Sequence, residues 1–132
     1  MAKSVQDIDG DVAEVGVYKG GTAYLLSKAL PHNTLHLFDT FSGMPETADA
    51  AIDYHKKGDF DDVNLGDVRK LLSSPNINFH VGFFPKTAEG LVDSTFSFVH
   101  IDCDIYNSVH DCCEFFFPRL KPHGIMIFDD YG

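Results

Sequence analysis

Four acidic residues follow two apolar runs in the last third of the chain. Asp102 and Asp104 come after the run Phe96–Ile101, and Asp129 and Asp130 come after residues 125–128. Short runs rich in β-branched and aromatic residues are typical of buried parallel strands. If these strands are neighbours, the acids meet at the carboxyl edge of the sheet, where open α/β folds bind ligands. Such a cluster requires raised pKa values or a cation, and carboxylate oxygens favour Mg²⁺, Ca²⁺ or Mn²⁺ over Zn²⁺.

Each acid also has a structural interpretation. Asp104 stands where it could cap the helix that follows, because an Asp side chain at the N-cap accepts a hydrogen bond from a free backbone N–H. Both interpretations of Asp104 stay open. Asp129 and Asp130 could form an ordinary polar turn, but nothing local explains two adjacent acids after so apolar a strand. His100 lies in the middle of a predicted strand and is interpreted as a core histidine.

A second region with chemical potential follows the first predicted strand. Gly16, Gly20 and Gly21 lie in the turn before a helix, and glycines let the backbone approach a ligand closely. Asp39 ends the second predicted strand about twenty residues on, where an acid can bind ribose hydroxyls, although it could also be a turn residue. The spacing is not G-x-G-x-x-G and no G-K-[ST] follows, which excludes a P-loop and disfavours an NAD-dependent enzyme.

Strand and helix patterns alternate around these regions. Strands are predicted at residues 12–17, 34–38, 76–81, 96–101 and 124–128, and helices at 22–30, from 61 or 62 to 72, after Pro85, and at 105–120. This alternation predicts a single α/β domain over residues 1–132 with a Rossmann-like, doubly wound parallel sheet. The long loop at 40–61 has the length of a functional or mobile segment.

Composition narrows the class of partner. The net charge of -10 argues against nucleic acid and anionic membranes, and it suits a site that attracts cations. The start of the chain is polar, and no apolar run approaches the ~20 residues of a membrane span, so a cytoplasmic protein is expected. The three Cys residues, without C-x-x-C spacing, argue against a disulfide framework or a zinc site.

Five segments together resemble the macrocin O-methyltransferase family. They are residues 14–21, 39–46, 82–87, 100–106 and 121–132, and the resemblance covers essentially the whole chain. The most specific parts are H-I-D-x-D-x-Y at 100–106 and D-D-Y-G at 129–132. Members of this family use S-adenosylmethionine to methylate sugar hydroxyls, often on macrolide and aminocoumarin antibiotics.

The resemblance implies a cofactor site, a metal site and a base. The residues that the resemblance implies as cofactor contacts are Glu14, Gly16, Tyr18, Gly20 and Gly82, and Asp39 would bind the ribose with Thr40 and Ser42 beside it. The implied ligands of Mg²⁺ (or Ca²⁺ or Mn²⁺) are Asp102, Asp129 and Asp130. The implied general base is Asp104. The chemistry agrees, because a divalent ion lowers the pKa of a sugar hydroxyl and a nearby carboxylate can take its proton.

The family's chains are longer than this one. The expectation is therefore a truncated core with strand order 3-2-1-4-5, lacking the last two strands of the methyltransferase fold. The main alternative is a non-catalytic remnant that binds the cofactor or only self-associates. Because residues 125–128 would form an uncovered edge strand, a homo-oligomer is also expected. The identity of the sugar acceptor is left open.

Overall fold

The structure is a computed structural model that describes residues 2–41, 64–103 and 106–129. Its strands are β1 (Asp11–Val15), β2 (Leu35–Asp39), β3 (Ile77–Val81), β4 (Phe96–Ile101) and β5 (Leu120–Phe128), and its helices are α1 (Gly21–Ala29), α2 (Leu65–Leu71) and α3 (Tyr106–Phe116). Short 3-10 helices lie at Ala2–Val5, Lys86–Leu91 and Phe117–Arg119. Across these ranges, no helix combines the length and the apolarity that a membrane crossing requires.

The five strands form one parallel sheet in the order β3-β2-β1-β4-β5, which confirms the predicted order and fold class. The order reverses beside β1, because the chain first adds strands on one side and then on the other. In open α/β sheets, this switch point is where the carboxyl ends of the strands leave a crevice for ligands. Both candidate sites from the sequence lie at the carboxyl ends of β1, β2, β4 and β5.

Both faces of the sheet are covered, since alternate residues of a strand point to opposite sides. On one face Leu37 and Phe98 pack with Leu26 of α1 and Val68 of α2. The other face is aromatic and packs around Phe116 of α3. The rings around Phe116 are Phe38, Phe84, Phe96 and Phe115, with centroids 5.0 to 6.1 Å from it.

The structure corrects two element boundaries and the type of one helix. The helix predicted at 105–120 ends at Phe116, because Pro118 has no N–H to continue it and a 3-10 helix follows. β5 begins at Leu120 rather than Gly124, with a register shift between Leu120, opposite Phe96, and Ile125, opposite Phe98. The segment after Pro85 is a 3-10 helix.

The start of α2 is also placed differently. The helix begins at Leu65, and the Asn64 side chain caps it by accepting a hydrogen bond from the Asp67 N–H at 3.3 Å. An Asn at this position satisfies a backbone donor that has no partner within the helix. The start predicted at Asp61 or Asp62, and the loop predicted at 40–61 beyond Phe41, lie outside the described residues.

Candidate functional site

The turn after β1 lies directly against the end of β4. Gly16 has φ +88°, and a Cβ at this position would stand 2.2 Å from the carbonyl oxygen of Asp102. The Asp102 N–H also donates to the Val15 carbonyl at 2.8 Å, and the Gly16 N–H donates to the Phe38 carbonyl at 2.9 Å. Only glycine fits between these backbones, so the glycine identified in the sequence is required for contact between the turn and the first acidic segment.

Hydrogen bonds to the Asp39 side chain hold this turn against the end of β2. Its Oδ2 accepts hydrogen bonds from the N–H groups of Val17 at 2.7 Å and Tyr18 at 2.8 Å, and its Oδ1 accepts one from Phe41 at 3.0 Å. Bonds from backbone N–H groups to a carboxylate are charge-assisted and stronger than neutral ones. The structure therefore gives Asp39 a role in shaping the turn, and the predicted contact with ribose stays a prediction.

The other predicted cofactor residues are distributed along the same edge. Gly20, with φ +89°, ends the turn and precedes α1. The Gly82 N–H, just past β3, donates to the Asp39 carbonyl at 3.0 Å, which brings Gly82 beside the end of β2. Thr40 follows Asp39 directly, whereas Ser42 lies outside the described residues. The ends of β1, β2 and β3 thus meet around one turn.

Of the four acidic residues that follow β4 and β5, Asp102 and Asp129 are described, and they lie close together with His100 beside them. Potential ligand atoms of His100, Asp102 and Asp129 all lie within 4.8 Å of one another. The Asp129 N–H donates to the Ile101 carbonyl at 2.9 Å, which holds the end of β5 against β4. Asp104 and Asp130 lie outside the described residues, so their predicted roles stay predictions.

His100 is buried as expected of a core residue, but it is also part of this cluster. Its Nδ1 lies 3.6 Å from Oε2 of Glu14, and neither atom has a hydrogen-bond partner in the part of the chain that the structure describes. Glu14 is 1% exposed and His100 is 8% exposed. The sequence predicted only a core histidine at position 100, although the spacing His100-x-Asp102 directs both side chains to the same side of the sheet.

Burial and charge act together on this pair. Burial raises the pKa of Glu14, an effect that His100 partly offsets and that the nearby carboxylates of Asp39 and Asp129 reinforce. The Glu14 carboxylate raises the pKa of His100 against the opposing effect of burial, with smaller contributions from Asp102 and Asp129. Both directions favour the protonated form of the group concerned. The end of β1 is thus linked to the acidic cluster through side chains as well as backbone.

A second group of possible ligands lies on α3 and consists of His110, Asp111 and Glu114. His110 and Glu114 are four residues apart, 3.8 Å from each other, and 58% and 70% exposed. This is the geometry of an ordinary solvated pair on a helix surface, which contributes little free energy. The group at the end of β4 differs because its histidine and the glutamate behind it are buried.

Solved structures share the fold. The O-methyltransferase NovP superposes with a TM-score of 0.80 at 23% identity, over 98% of this chain and 64% of that one. CalS11, a calicheamicin methyltransferase, superposes with a TM-score of 0.76 at 20% identity, over 97% of this chain and 60% of that one. These similarities support the Rossmann-like methyltransferase fold that the strand order indicates.

Proteins of similar sequence are O-methyltransferases as well. A tetracenomycin rhamnosyl 4'-O-methyltransferase of Streptomyces olivaceus is 29% identical over 95% of this chain, and mycinamicin III 3''-O-methyltransferase of Micromonospora griseorubida is 27% identical over 94%. Demethyldecarbamoylnovobiocin O-methyltransferase of Streptomyces niveus is 26% identical. The chain spans about half the length of these relatives, 54% to 56%. The family model described as Macrocin-O-methyltransferase (TylF) matches residues 2–132, and the chain therefore belongs to the macrocin O-methyltransferase family.

Proposed function

We propose that this chain carries the core of an S-adenosylmethionine-dependent O-methyltransferase that acts, with a divalent metal ion, on a sugar hydroxyl of a small molecule or glycoside. The observation that carries the proposal is the contact between the two candidate sites. Gly16 of the turn lies against the Asp102 backbone, and Asp102 belongs to the group of possible metal ligands. A methyl donor and a metal-held acceptor must lie side by side, and this contact supports that arrangement.

The residues present fit both implied groups. The turn after β1 offers backbone at positive φ with no side chain at Gly16 or Gly20, and Asp39 supplies a carboxylate at its side. At the cluster, two carboxylates and an imidazole are close enough to share one ion. The unpartnered Nδ1 of His100 and Oε2 of Glu14 show that this buried polar region is not fully satisfied by the described residues.

The roles of the chain's own residues follow from their positions. Asp39 fixes the turn that would receive the cofactor, and Asp102 and Asp129 would hold the ion, with Asp130 as a further predicted ligand. Asp104, predicted as the base, would take the proton from the acceptor hydroxyl. When bound, S-adenosylmethionine supplies an electrophilic methyl group and a divalent ion lowers the pKa of the hydroxyl.

The test is transfer of labelled methyl to an acceptor. The 132-residue chain would be incubated with methyl-labelled S-adenosylmethionine, Mg²⁺ or Mn²⁺, and the acceptors for which the three relatives are named. Label on a sugar oxygen supports the proposal, and Asp102→Asn should reduce transfer to the rate seen with chelator. Glu114→Gln, on the exposed helix surface, is the matched control. Tight cofactor binding without transfer to any acceptor would instead favour a non-catalytic remnant.

Self-association is a second candidate property, favoured by one surface. A cavity of about 520 Å³ beside β5 is lined largely by apolar side chains, including Leu120, Met126 and Phe128. Phe117 at its rim is 73% exposed, and within the described sheet β5 pairs only with β4. We propose that a second copy of the chain covers this edge. Sedimentation at moderate salt should show a dimer that Phe117→Ser weakens.

The cytoplasmic location stays a prediction.

A further inference from the structure

We propose that His100 is a nitrogen ligand of the metal site and that Glu14 holds its ring in place from the opposite side. The site would then prefer first-row transition ions such as Mn²⁺ over Mg²⁺ and Ca²⁺. This inference rests on the metal assistance in the proposed function and deepens it. It differs from the sequence-based expectation of an all-carboxylate site, because it adds one nitrogen donor and one supporting carboxylate.

The strand register brings the participating side chains together. Glu14 of β1 lies opposite His100 of β4, and His100 lies opposite Ile127 of β5. Residues two apart on a strand share a face, so Asp102 follows His100 on one side and Asp129 follows Ile127 on the same side. The same register therefore places a carboxylate behind the imidazole and two carboxylates beyond it.

His100 differs from a surface histidine near acidic residues because it is buried. His100 is 8% exposed and Glu14 is 1% exposed, and the facing atoms Nδ1 and Oε2 lie 3.6 Å apart without other hydrogen-bond partners among the described residues. Buried polar groups cost free energy unless they are satisfied. A histidine that ligates a metal usually donates its other ring N–H to a carboxylate, which fixes the ring orientation. Oε2 of Glu14 faces Nδ1 at 3.6 Å, slightly beyond hydrogen-bond distance. A small shortening of this distance on metal binding would let Oε2 accept from Nδ1–H and would leave Nε2 for the ion.

The nitrogen donor has a consequence for metal choice. Mg²⁺ and Ca²⁺ are hard ions that take oxygen ligands, and they gain little from an imidazole. Divalent transition ions bind imidazole well, and their affinity for mixed N and O sites rises along the series that begins with Mn²⁺. A site formed by His100, Asp102 and Asp129 should therefore bind Mn²⁺ more tightly than Mg²⁺, and removal of the imidazole should reduce this difference.

The direct test is spectroscopic. Mn²⁺ would be added to the full 132-residue chain, and pulsed electron paramagnetic resonance would detect coupling of the ion to histidine nitrogen, with ¹⁵N-histidine labelling to prove the source. The expected result is a nitrogen coupling that persists in His110→Ala, which removes the exposed histidine of α3, and vanishes in His100→Asn. Bound Mn²⁺ without nitrogen coupling would overturn the inference while leaving metal assistance intact. If no Mn²⁺ binds, metal assistance itself fails.

Affinities provide the second measurement. Titration calorimetry should show Mn²⁺ binding at least about tenfold weaker in His100→Asn and about 10–100-fold weaker in Glu14→Gln, with smaller changes for Mg²⁺. His110→Ala should bind both ions as the parent does. Thermal unfolding in chelator identifies variants that remain folded. A lower melting temperature with an unchanged Mn²⁺ to Mg²⁺ affinity ratio would mean that His100 and Glu14 only support the core, and the inference would be wrong.

Discussion

The substitution Gly16→Ala tests the contact that joins the two candidate sites. An alanine Cβ would stand 2.2 Å from the carbonyl oxygen of Asp102 and 2.7 Å from its carbonyl carbon, and real Cβ atoms essentially never come within 3.0 Å of another heavy atom. Both obstructing atoms belong to the backbone, so no side-chain rotation relieves the clash. The chain must instead separate the end of β1 from the end of β4, where Asp102 N–H donates to Val15.

Two costs add in this variant. A non-glycine residue held at φ +88° costs about 1–3 kcal/mol, and overpacking in a tight interior costs about 1–3 kcal/mol. The free energy of unfolding should therefore fall by about 2–6 kcal/mol, a large share of the ~5–15 kcal/mol that stabilises a typical domain. Urea denaturation followed by circular dichroism measures the change, and the midpoint should fall with little change in slope.

Gly21→Ala is the matched control, five residues further along the chain. A Cβ at Gly21 would meet no heavy atom within 4 Å, and the residue begins α1. Alanine there should be neutral or should raise the free energy of unfolding by about 0.4–1 kcal/mol, because it restricts the unfolded chain. If Gly16→Ala and Gly21→Ala unfold at the same urea concentration as the parent, the close approach of the turn to Asp102 is wrong.

Two further predictions concern Asp39 and His80. Asp39→Ala should lower the free energy of unfolding by about 1–3 kcal/mol, because the N–H groups of Val17 and Tyr18 lose their acceptor. It should also weaken S-adenosylmethionine binding in calorimetry, and unchanged affinity would contradict the ribose assignment. Burial, then the neighbouring His36, lowers the pKa of His80 from 6.5. Its stabilising contribution is therefore present above pH 6.5 and lost as pH falls through the lower folded pKa. Urea midpoints between pH 8 and 5 should fall more for the parent than for His80→Gln, and parallel curves would refute this.

The sequence predicted the sheet well because its signals are local. The run Phe96–Ile101 is wholly buried in the structure, as its β-branched and aromatic content indicates. The boundaries at the end of α3 were wrong for an equally local reason. The apolar spacing that ends in Leu120 continues across Pro118, and the missing N–H of that proline weighs more than the periodicity. Leu120 therefore pairs with Phe96 at the start of β5 instead of closing a helix.

The candidate site was only partly predictable. Asp102 and Asp129 could be brought together from the sequence, since each follows an apolar strand and the strands proved to be neighbours. The place of His100 could have been found from the period of a strand, because His100 and Asp102 are two residues apart. The burial of Glu14 could not have been predicted from the sequence, because it depends on the register of β1 with both of its neighbours, β2 and β4.

The Asp39 side chain could both hold the turn in place and bind a ligand. The position after β2 suggests a ribose ligand, and the structure shows the same carboxylate accepting three backbone hydrogen bonds from the surrounding turns. A carboxylate has about four acceptor sites, so these bonds leave room for a ligand hydroxyl. By fixing Val17 and Tyr18, Asp39 also fixes the segment that begins at Gly16 against Asp102. If the turn binds the cofactor and Asp102 binds an ion, as proposed, cofactor binding should alter the affinity for the ion, and ion binding should alter the affinity for the cofactor by the same factor.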